Sequence, residues 1–380
     1  MEMADYIERS VTRLAEVSEK ERELVEPLVE RFVASDCAAL RIIASGSSKN
    51  AADIARPLLQ RVLDCEVQVV TPEAFIEFEH AQPKRAFNVA VSQSGYSTNT
   101  IAALDFMAAR DVPCAVLTAN TAAPISEHAS CVFDYGVGVE SVDFVTMGVH
   151  TLISYLMHFG IMAGERTGTL DTSEAERLRG RLQDAGSACS SGIDAARSLF
   201  QKRRLALSAQ APAMFVGNGA LRGVAQEAAL KFSETTKVPA MWFEGEEFIH
   251  GPEMQIIPGY LVVIFDDPMG SKRLADIARG IASVTETCYF VTSHPSGAEN
   301  AASFHEAAVK AASAETYPFA ALSFVQYLAA QIASALNSWD VHPFLDEVDD
   351  VFASKAPGYD ASVHELERLA DALYGDSAEA

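Results

Sequence analysis

The chain has 380 residues, of which 49% are hydrophobic, and its 29 Lys and Arg against 52 Asp and Glu give a formal net charge of −23 at pH 7. At about 150 residues per domain this length predicts two or three domains, and the hydrophobic content excludes an intrinsically disordered chain. The charge argues against a general nucleic-acid-binding protein, because affinity for a phosphate backbone needs a surplus of Lys and Arg, but backbone N–H groups can still hold a small phosphorylated ligand.

Short apolar runs alternate with helical patterns along most of the chain. An amphipathic helix is expected within residues 1–35, ahead of the first alternation. The elements predicted next are strand 40–44, helix 49–62, strands 67–70 and 89–92, helix 97–110, strands 114–117 and 131–133, and helix 145–162. One or two connecting helices over 174–207 follow a polar break. The second alternation predicts strand 214–216, helix 221–236, strands 240–243 and 261–265, helix 272–283, strand 288–291, helix 318–336 and a final helix 361–374.

Two parts of the chain resemble each other when the sequence is compared with itself at an offset of 173 positions. Glu73–Ile76 then coincides with Glu246–Ile249, and Asn88–Val91 with Leu261–Ile264. Repeated strand–helix alternation predicts two copies of one fold, each a parallel sheet with helices on both faces. The predicted fold class is therefore α/β, with two doubly wound, flavodoxin-like parallel-sheet domains in tandem and flanking helices.

The domain boundaries follow from this repeat. We expect an N-terminal helix in 1–35, a first domain at 36–168 and linker helices at 169–210. A second domain is expected at 211–345, and an acidic C-terminal tail at 346–380.

Two long stretches carry no charged residue and exceed the roughly 18 residues that can span a membrane. They cover 144–164 and 317–339, and they contain polar residues such as His150 and Gln326. These polar residues favour helices buried inside the α/β domains, so we expect no membrane partner.

The cysteines and the N-terminal residues indicate the compartment. The six cysteines are scattered and form no CxxC pair, which argues against a cysteine zinc site. Residues 1–23 are charged throughout and lack the apolar core of a signal peptide. We therefore expect a reduced, cytoplasmic protein.

Two hydroxyl-rich turns each follow a predicted strand and open a predicted helix: the first serine turn, Ser45–Ser48, and the second serine turn, Ser92–Ser97. Ligands of doubly wound sheets bind at the carboxyl ends of strands, where hydroxyls and helix N-termini favour an anion. The two turns could hold a phosphate without a Walker loop, of which the sequence has none. The alternative is that these residues only cap helices.

The second copy differs at the position of the second serine turn. Its residues there are Phe265–Pro268, and Asp266 and Asp267 would repel a phosphate. The first copy is therefore expected to hold the anion, and the second to have another task.

Glu227, Lys231 and Glu234 are spaced i, i+4 and i+7, which places them on one helix face, and His250 follows sixteen positions later. A carboxylate and an imidazole beside a bound sugar could share acid–base work on a proton next to a carbonyl. The alternatives are a surface ion pair for Glu227 and Lys231 and a turn cap for His250.

Three stretches resemble the tandem sugar isomerase (SIS) domain enzymes: Ser92–Leu104, Gln226–Glu234 and Glu246–Pro252. These enzymes include the isomerase half of glucosamine-6-phosphate synthase, SIS-type glucosamine-6-phosphate deaminases and fructosamine-6-phosphate deglycases. The similarity extends over residues 35–345.

The resemblance implies a small-molecule sugar phosphate as ligand. It implies Glu234 as the base that moves a proton at C1/C2 of an open-chain sugar, and His250 as the ring-opening acid/base, supplied across the interface of a homodimer. Glu227 and Lys231 would line the same pocket, and no metal or organic cofactor is implied. The implied phosphate-binding residues are Ser47, Ser48, Ser92, Gln93, Ser94 and Ser97.

The sequence departs from the family in two places. The pocket lysine expected shortly after Pro343 is absent from Phe344–Val348, and Lys355 comes too late for a simple alignment. The Ser-Thr-Lys that opens the family's long helix is Val145-Thr146-Met147 here. The 380-residue sequence also contains no glutamine-hydrolysing domain, so glutamine-dependent synthesis is not expected.

The first interpretation is an enzyme, an amino-sugar 6-phosphate deaminase/isomerase. The absent lysine favours a fructosamine-6-phosphate deglycase as the alternative. A non-catalytic sugar-phosphate sensor is the remaining alternative, because the same fold serves in regulators.

Overall fold

A computed structural model of the chain describes residues 2–81, 85–142, 144–296 and 304–374. The chain divides into two compact units. Unit 1 contains Arg13–Gly180 and the described residues from Val341 onward, and unit 2 contains Met3–Thr12 and Arg181–Asp340. Each unit has a five-stranded sheet among its described residues.

The sheet of unit 1 is parallel throughout, with strand order β2-β1-β3-β4-β5. Every residue of its β1 and β4 strands is buried, because helices cover both faces of the sheet, and this explains their continuous apolar sequence. The strands are β1 Ala39–Ile43, β2 Glu66–Val70, β3 Ala86–Val91, β4 Cys114–Thr118 and β5 Cys131–Asp134.

The sheet of unit 2 is also parallel and has the order β10-β9-β8-β6-β7. Read from its other edge, this is the same order as in unit 1, so the predicted tandem of doubly wound parallel sheets is confirmed. The strands are β6 Ala213–Val216, β7 Ala240–Phe243, β8 Leu261–Phe265, β9 Cys288–Thr292 and β10 Phe304–Ala308.

The helices connect successive strands and flank the two sheets. A π-helical turn, Phe75–Glu79, continues the short helix α4. The described α-helices are α1 Met3–Glu19, α2 Glu21–Ser35, α3 Gly46–Val62, α4 Pro72–Ala74, α5 Thr98–Ala108, α6 Met147–Thr167, α7 Thr172–Leu182, α8 Ala185–Leu207, α9 Ala220–Thr236, α10 Gly245–Phe248, α11 Lys272–Ala282, α12 Tyr317–Leu336, α13 Pro343–Phe352 and α14 Tyr359–Tyr374.

Several elements differ from the sequence prediction, and the short helices α4 and α10 were not predicted. The single helix expected in 1–35 is two helices that break at Lys20, where no side chain caps α2 and no sequence signal marks the break. Strand β10 was not predicted, because His305 and Glu306 interrupt its apolar residues. The helix α13 was missed in the acidic tail, although Pro343 at its first position is a common helix start.

The two uncharged stretches form the helices α6 and α12. Helix α6 is buried from Met147 to Gly164. Helix α12 is long and apolar enough to cross a membrane, but 78% of its most apolar window is buried, and it packs against α8 and α9 of the same unit. Both stretches are thus core helices of their units, as expected from their polar residues.

Candidate functional site

The two serine turns lie next to each other in unit 1. They follow β1 and β3, which are neighbours in the parallel sheet, so both turns leave the same edge. Asn99 Nδ2 donates a hydrogen bond of 3.0 Å to Ser45 Oγ and joins the second turn's helix to the first turn. Ser47 is buried and Ser48 is half-buried. The structure therefore brings together the hydroxyls that the sequence singled out.

The serines at the helix starts do not act as caps. Ser45 and Ser97 occupy the N-cap positions of α3 and α5, and neither side chain makes a capping hydrogen bond. Ser97 Oγ instead accepts a hydrogen bond of 3.0 Å from Ser92 Oγ. The capping alternative thus fails for both residues. The N-terminal N–H groups of two helices, with their positive dipole ends, face the same edge without side-chain caps.

The second serine turn is held in one conformation. Ser94 Oγ accepts the N–H of Tyr96 at 3.2 Å, and Ser92 O accepts the N–H of Gly95 at 3.2 Å. Gly95 has φ +75°, and a Cβ at this position would lie 2.4 Å from the Cβ of Ala123. Only glycine fits there, so the turn is preformed.

Gln93 is fixed at both ends of its amide. Its Oε1 accepts a hydrogen bond of 2.9 Å from Tyr135 OH, and its Nε2 donates one of 2.7 Å to Glu140 Oε2. A Cβ on Gly148 would lie 1.8 Å from Gln93 Oε1, so the glycine makes room for this amide. One N–H of the amide therefore already donates a hydrogen bond within the protein. Direct ligand contact through the side chain is limited to its other N–H.

The sequence reasoning missed Glu140. This buried carboxylate accepts hydrogen bonds from the backbone N–H groups of Thr146, Met147 and Gly148, at 2.9, 2.5 and 3.0 Å. Burial raises the pKa of Glu140, and the hydrogen bonds from Gln93 and from the start of α6 oppose that rise. The sequence signal that could have indicated this role is a glutamate shortly before an uncharged helix, whose N-terminus favours a negative charge.

The C-terminal residues return to the second serine turn. Ser97 and Lys355 form an antiparallel bridge. It is supported by hydrogen bonds from Thr98 N to Ser354 O at 3.2 Å and from Ala356 N to Tyr96 O at 2.8 Å. Side chains of residues directly opposite in such a pair share one face, so Lys355 lies beside Ser97.

Lys355, which comes too late for a simple alignment with the family's pocket lysine, lies beside this turn because helix α13 takes up the intervening residues at about 1.5 Å per residue. Lys355 Nζ lies 4.8 Å from the centre of the Tyr359 ring, and that ring meets Tyr96 edge-on at 5.7 Å. Part of the lysine side chain reaches solvent, yet desolvation lowers the pKa of its ammonium group.

A charged triad lies on α9 of unit 2. Lys231 Nζ is 2.5 Å from Glu234 Oε2 and 3.5 Å from Glu227 Oε1. Glu227 and Lys231 are sealed from solvent, whereas the Glu234 side chain is 30% exposed. The surface ion pair considered from the sequence is therefore not what the structure shows.

The surroundings of Lys231 keep it charged. Burial alone would lower the pKa of the Lys231 ammonium, but Glu227 and Glu234 more than offset burial and raise it. A lysine held this way orients carboxylates and is a poor nucleophile.

His250 lies just after α10 in unit 2, and it is exposed. Its backbone N–H donates to Glu247 O at 3.2 Å, which fixes the main chain here. The imidazole is therefore presented to solvent on unit 2.

In unit 2 a protein carboxylate occupies the end of β8, the strand that corresponds to β3. Asp266 is buried, and its Oδ1 accepts the N–H groups of Asp267 and Ser271, both at 2.8 Å. Its Oδ2 accepts the Thr292 hydroxyl at 2.6 Å. The chain's own anion thus lies where the first copy presents hydroxyls.

Comparisons with known proteins match part of the chain to one domain model and to several curated relatives. Residues 35–160 match the model of the SIS domain. The glutamine–fructose-6-phosphate aminotransferase [isomerizing] of Caulobacter vibrioides is 28% identical over 216 residues, which cover 56% of this chain and 35% of that protein. The chain thus spans about a third of the length of this relative.

Solved structures share the fold over most of the chain. A candidate phosphosugar isomerase of Clostridium difficile 630 superposes with a TM-score of 0.81 at 20% identity, covering 90% of this chain and 96% of that one. The glucosamine-6-phosphate deaminase of Thermotoga maritima gives a TM-score of 0.66 at 18% identity, covering 89% and 97%. Residues 35–160 thus match the SIS domain model, and these solved structures share the fold of the chain.

Proposed function

We propose that the protein is an amino-sugar 6-phosphate deaminase/isomerase that acts by proton transfer at C1/C2 of an open-chain sugar phosphate. The observation that carries the proposal is the pair of serine turns at one sheet edge, with uncapped helix starts and with Lys355 beside the second turn. This arrangement suits a dianionic phosphate, because N–H groups, hydroxyls and an ammonium can all donate to its oxygens.

The phosphate contacts are assigned to unit 1. Ser47, Ser48, Ser94 and Ser97 supply hydroxyls, and the starts of α3 and α5 supply N–H groups. Ser92 acts mainly by positioning Ser97, to which its hydroxyl already donates. Gln93 contributes its remaining amide N–H and its backbone. The local donors are needed because the protein as a whole carries a net charge of −23 and repels anions.

The acid–base residues are assigned to unit 2. Glu234 is the base, because it is the member of the triad that solvent, and hence a substrate, can reach. Lys231 holds the Glu234 carboxylate in place, and Glu227 balances the remaining charge of the buried ammonium. Both are thus positioning residues rather than residues that touch the substrate. The exposed imidazole of His250 opens the sugar ring from the partner subunit of a homodimer.

The proposal is tested by measuring ammonia release and ketose–aldose interconversion on a panel of amino-sugar 6-phosphates. We expect turnover by the native protein and a loss of at least about 10²-fold in the Glu234→Gln variant, as is typical when a general base is removed. The exposed Glu286, also in unit 2, offers a matched control, and Glu286→Gln should retain full activity. Full turnover by Glu234→Gln would overturn the assignment of the base.

A deglycase remains the second candidate because the pocket lysine expected shortly after Pro343 is absent from Phe344–Val348. A deglycase can work with the Glu234 and His250 pair alone, and its substrate, a fructosamine 6-phosphate, carries an amino acid on the sugar. Release of an amino acid from such a substrate, without ammonia release from glucosamine 6-phosphate, would select the deglycase. Binding of sugar phosphates with no turnover across the panel would select the non-catalytic sensor.

A further inference from the structure

Two cysteines of unit 1 lie side by side at the sheet edge opposite the serine turns. Cys37 precedes β1 and Cys65 precedes β2, and these strands pair in parallel with Ala39 opposite Glu66. The N–H of Glu66 donates to Ala38 O at 3.3 Å, so the pairing reaches the residues next to both cysteines. Both thiols are free and half-buried.

This placement suits a cross-link. Neighbouring strands lie about 4.8 Å apart, and the Cα atoms of disulfide-bonded cysteines lie about 4.4–6.8 Å apart. Continuing the register of β1 and β2 by one residue places Cys65 opposite Ala38, the neighbour of Cys37. The backbone positions of the two cysteines therefore suit the separation that a disulfide needs.

The surroundings make Cys37 the more reactive thiol. The hydrogen bond from the Cys65 thiol, together with the nearby Arg85 guanidinium, lowers the pKa of Cys37 to about 7 against the opposing effect of burial. The same contact raises the pKa of Cys65. Of the two thiols, Cys37 is therefore the one that ionises more readily.

The three fully buried cysteines differ from this pair. Burial raises the pKa of Cys114, Cys189 and Cys288 to about 12 in each case. Thiols that stay protonated and sealed from solvent react slowly with oxidants.

We propose that Cys37 and Cys65 are a peroxide-sensitive pair that closes to an intramolecular disulfide. The Cys37 thiolate attacks one oxygen of hydrogen peroxide, so that an S–O bond forms, the O–O bond breaks and the leaving hydroxide takes up a proton to become water. Cys65 then gives up its proton, and its sulfur attacks the sulfur of the Cys37 sulfenic acid. The S–S bond forms, the S–O bond breaks and a second water leaves. Two thiols and one peroxide thus give one disulfide and two waters.

The cross-link would close the β1–α3–β2 segment. This segment carries the first serine turn, Ser45–Ser48, at its other end. Because the bond removes conformations mainly from the unfolded chain, we expect the oxidised protein to have a higher Tm than the reduced one. The inference does not depend on which sugar phosphate the protein uses.

The test exposes the fully reduced, full-length protein to hydrogen peroxide near pH 7.5 and follows thiol number, intact mass and non-reducing peptide maps. We expect the loss of two thiols and two hydrogen atoms per chain, with one linked peptide pair containing Cys37 and Cys65. Cys65→Ser should stop at a Cys37 sulfenic acid that dimedone traps. Cys131→Ser removes another half-buried thiol and should react like the native protein.

Four outcomes would overturn the proposal. These are thiols that stay reduced, a bond that involves Cys131, a bond between two chains, and peroxide consumption by Cys37→Ser at the native rate. Serine replaces the sulfur with little change in size, and a melting curve of each variant shows whether it is folded.

Discussion

The carboxylate of Glu140 connects the second serine turn to a helix that begins well beyond that turn in the chain. It accepts the Gln93 amide and three backbone N–H groups at the start of α6. Four donors converge on one side chain that has no donor of its own when ionised. The position of Gln93, and with it the shape of the turn, therefore depends on this carboxylate.

Replacing Glu140 by glutamine should destabilise the protein by about 2 kcal/mol or more, because a side-chain NH₂ would face backbone N–H groups that then lack an acceptor. Urea unfolding measures the change. Glu127→Gln, at an exposed position of the same unit, should stay within about 0.5 kcal/mol of the native protein. Equal stabilities of the two variants would mean that the α6 start finds other acceptors.

His150 on α6 makes stability depend on pH in a defined direction. Burial lowers the pKa of His150 to about 4, although the nearby Thr146 carbonyl opposes this. In the unfolded chain the imidazole titrates near pH 6.5. As the pH falls below about 6.5, the imidazole binds a proton in the unfolded chain but stays neutral in the folded protein. Stability is therefore lost between about pH 6.5 and 4. Above that window the group contributes no pH dependence.

From pH 7.5 to 5 this group should cost the native protein about 2 kcal/mol of unfolding free energy. The free energy of unfolding of His150→Gln should fall by about 2 kcal/mol less than that of the native protein over the same pH range. His364→Gln, at an exposed histidine on α14, should follow the native curve. Parallel curves for the native protein and His150→Gln, in urea unfolding at both pH values, would contradict the assignment.

The residues that sequence reasoning found are those whose partners lie nearby in the chain. Lys231 and Glu234 are three positions apart on one helix, so helical spacing alone placed them together. Gln93 and Glu140, by contrast, are brought together only by tertiary structure. Gln93 was predicted to bind the ligand, and its second task, contact with Tyr135 and Glu140, could not be read from spacing.

At the level of elements, apolar runs identified the central strands because both faces of a parallel sheet are buried. The edge strand β10 was not predicted, because an edge strand needs fewer buried side chains and tolerates His305 and Glu306. Residues 354–356 were not predicted to pair, for another reason. Their structure is an isolated antiparallel bridge to Ser97, and a pairing across so much chain leaves no periodic pattern.

The bridge itself can be tested by a substitution that removes one backbone donor. Ala356→Pro eliminates the N–H that donates to Tyr96 O and should displace Lys355 from the second serine turn. We expect affinity for glucosamine 6-phosphate to fall about 10-fold, the value of one charge-assisted contact, as measured by calorimetry. Ala356→Gly keeps the N–H and should bind like the native protein. Unchanged affinity in Ala356→Pro would show that the bridge does not serve binding.

In the whole molecule, the two units share one topology and carry different polar groups after corresponding strands. Their strand orders are the same, and β3 of unit 1 corresponds to β8 of unit 2. Hydroxyls follow β3, whereas a buried carboxylate follows β8. The sequence repeat predicted the shared topology, because apolar runs recur at a constant offset. The same comparison predicted the divergence, since Asp266 stands where the first copy begins its serine turn.

This asymmetry predicts one sugar-phosphate site per chain. The N–H groups of Asp267 and Ser271 already bind the Asp266 carboxylate, and a phosphate would have to displace a covalently attached anion. Calorimetric titration should therefore give a stoichiometry near one, and Ser94→Ala combined with Ser97→Ala should weaken that single site by about 10-fold or more. Asp266→Asn should lower the Tm but keep the same stoichiometry, because it alters unit 2 and leaves both serine turns intact. A stoichiometry of two in the native protein would contradict the division between the units, since unit 2 would then bind phosphate despite its own carboxylate.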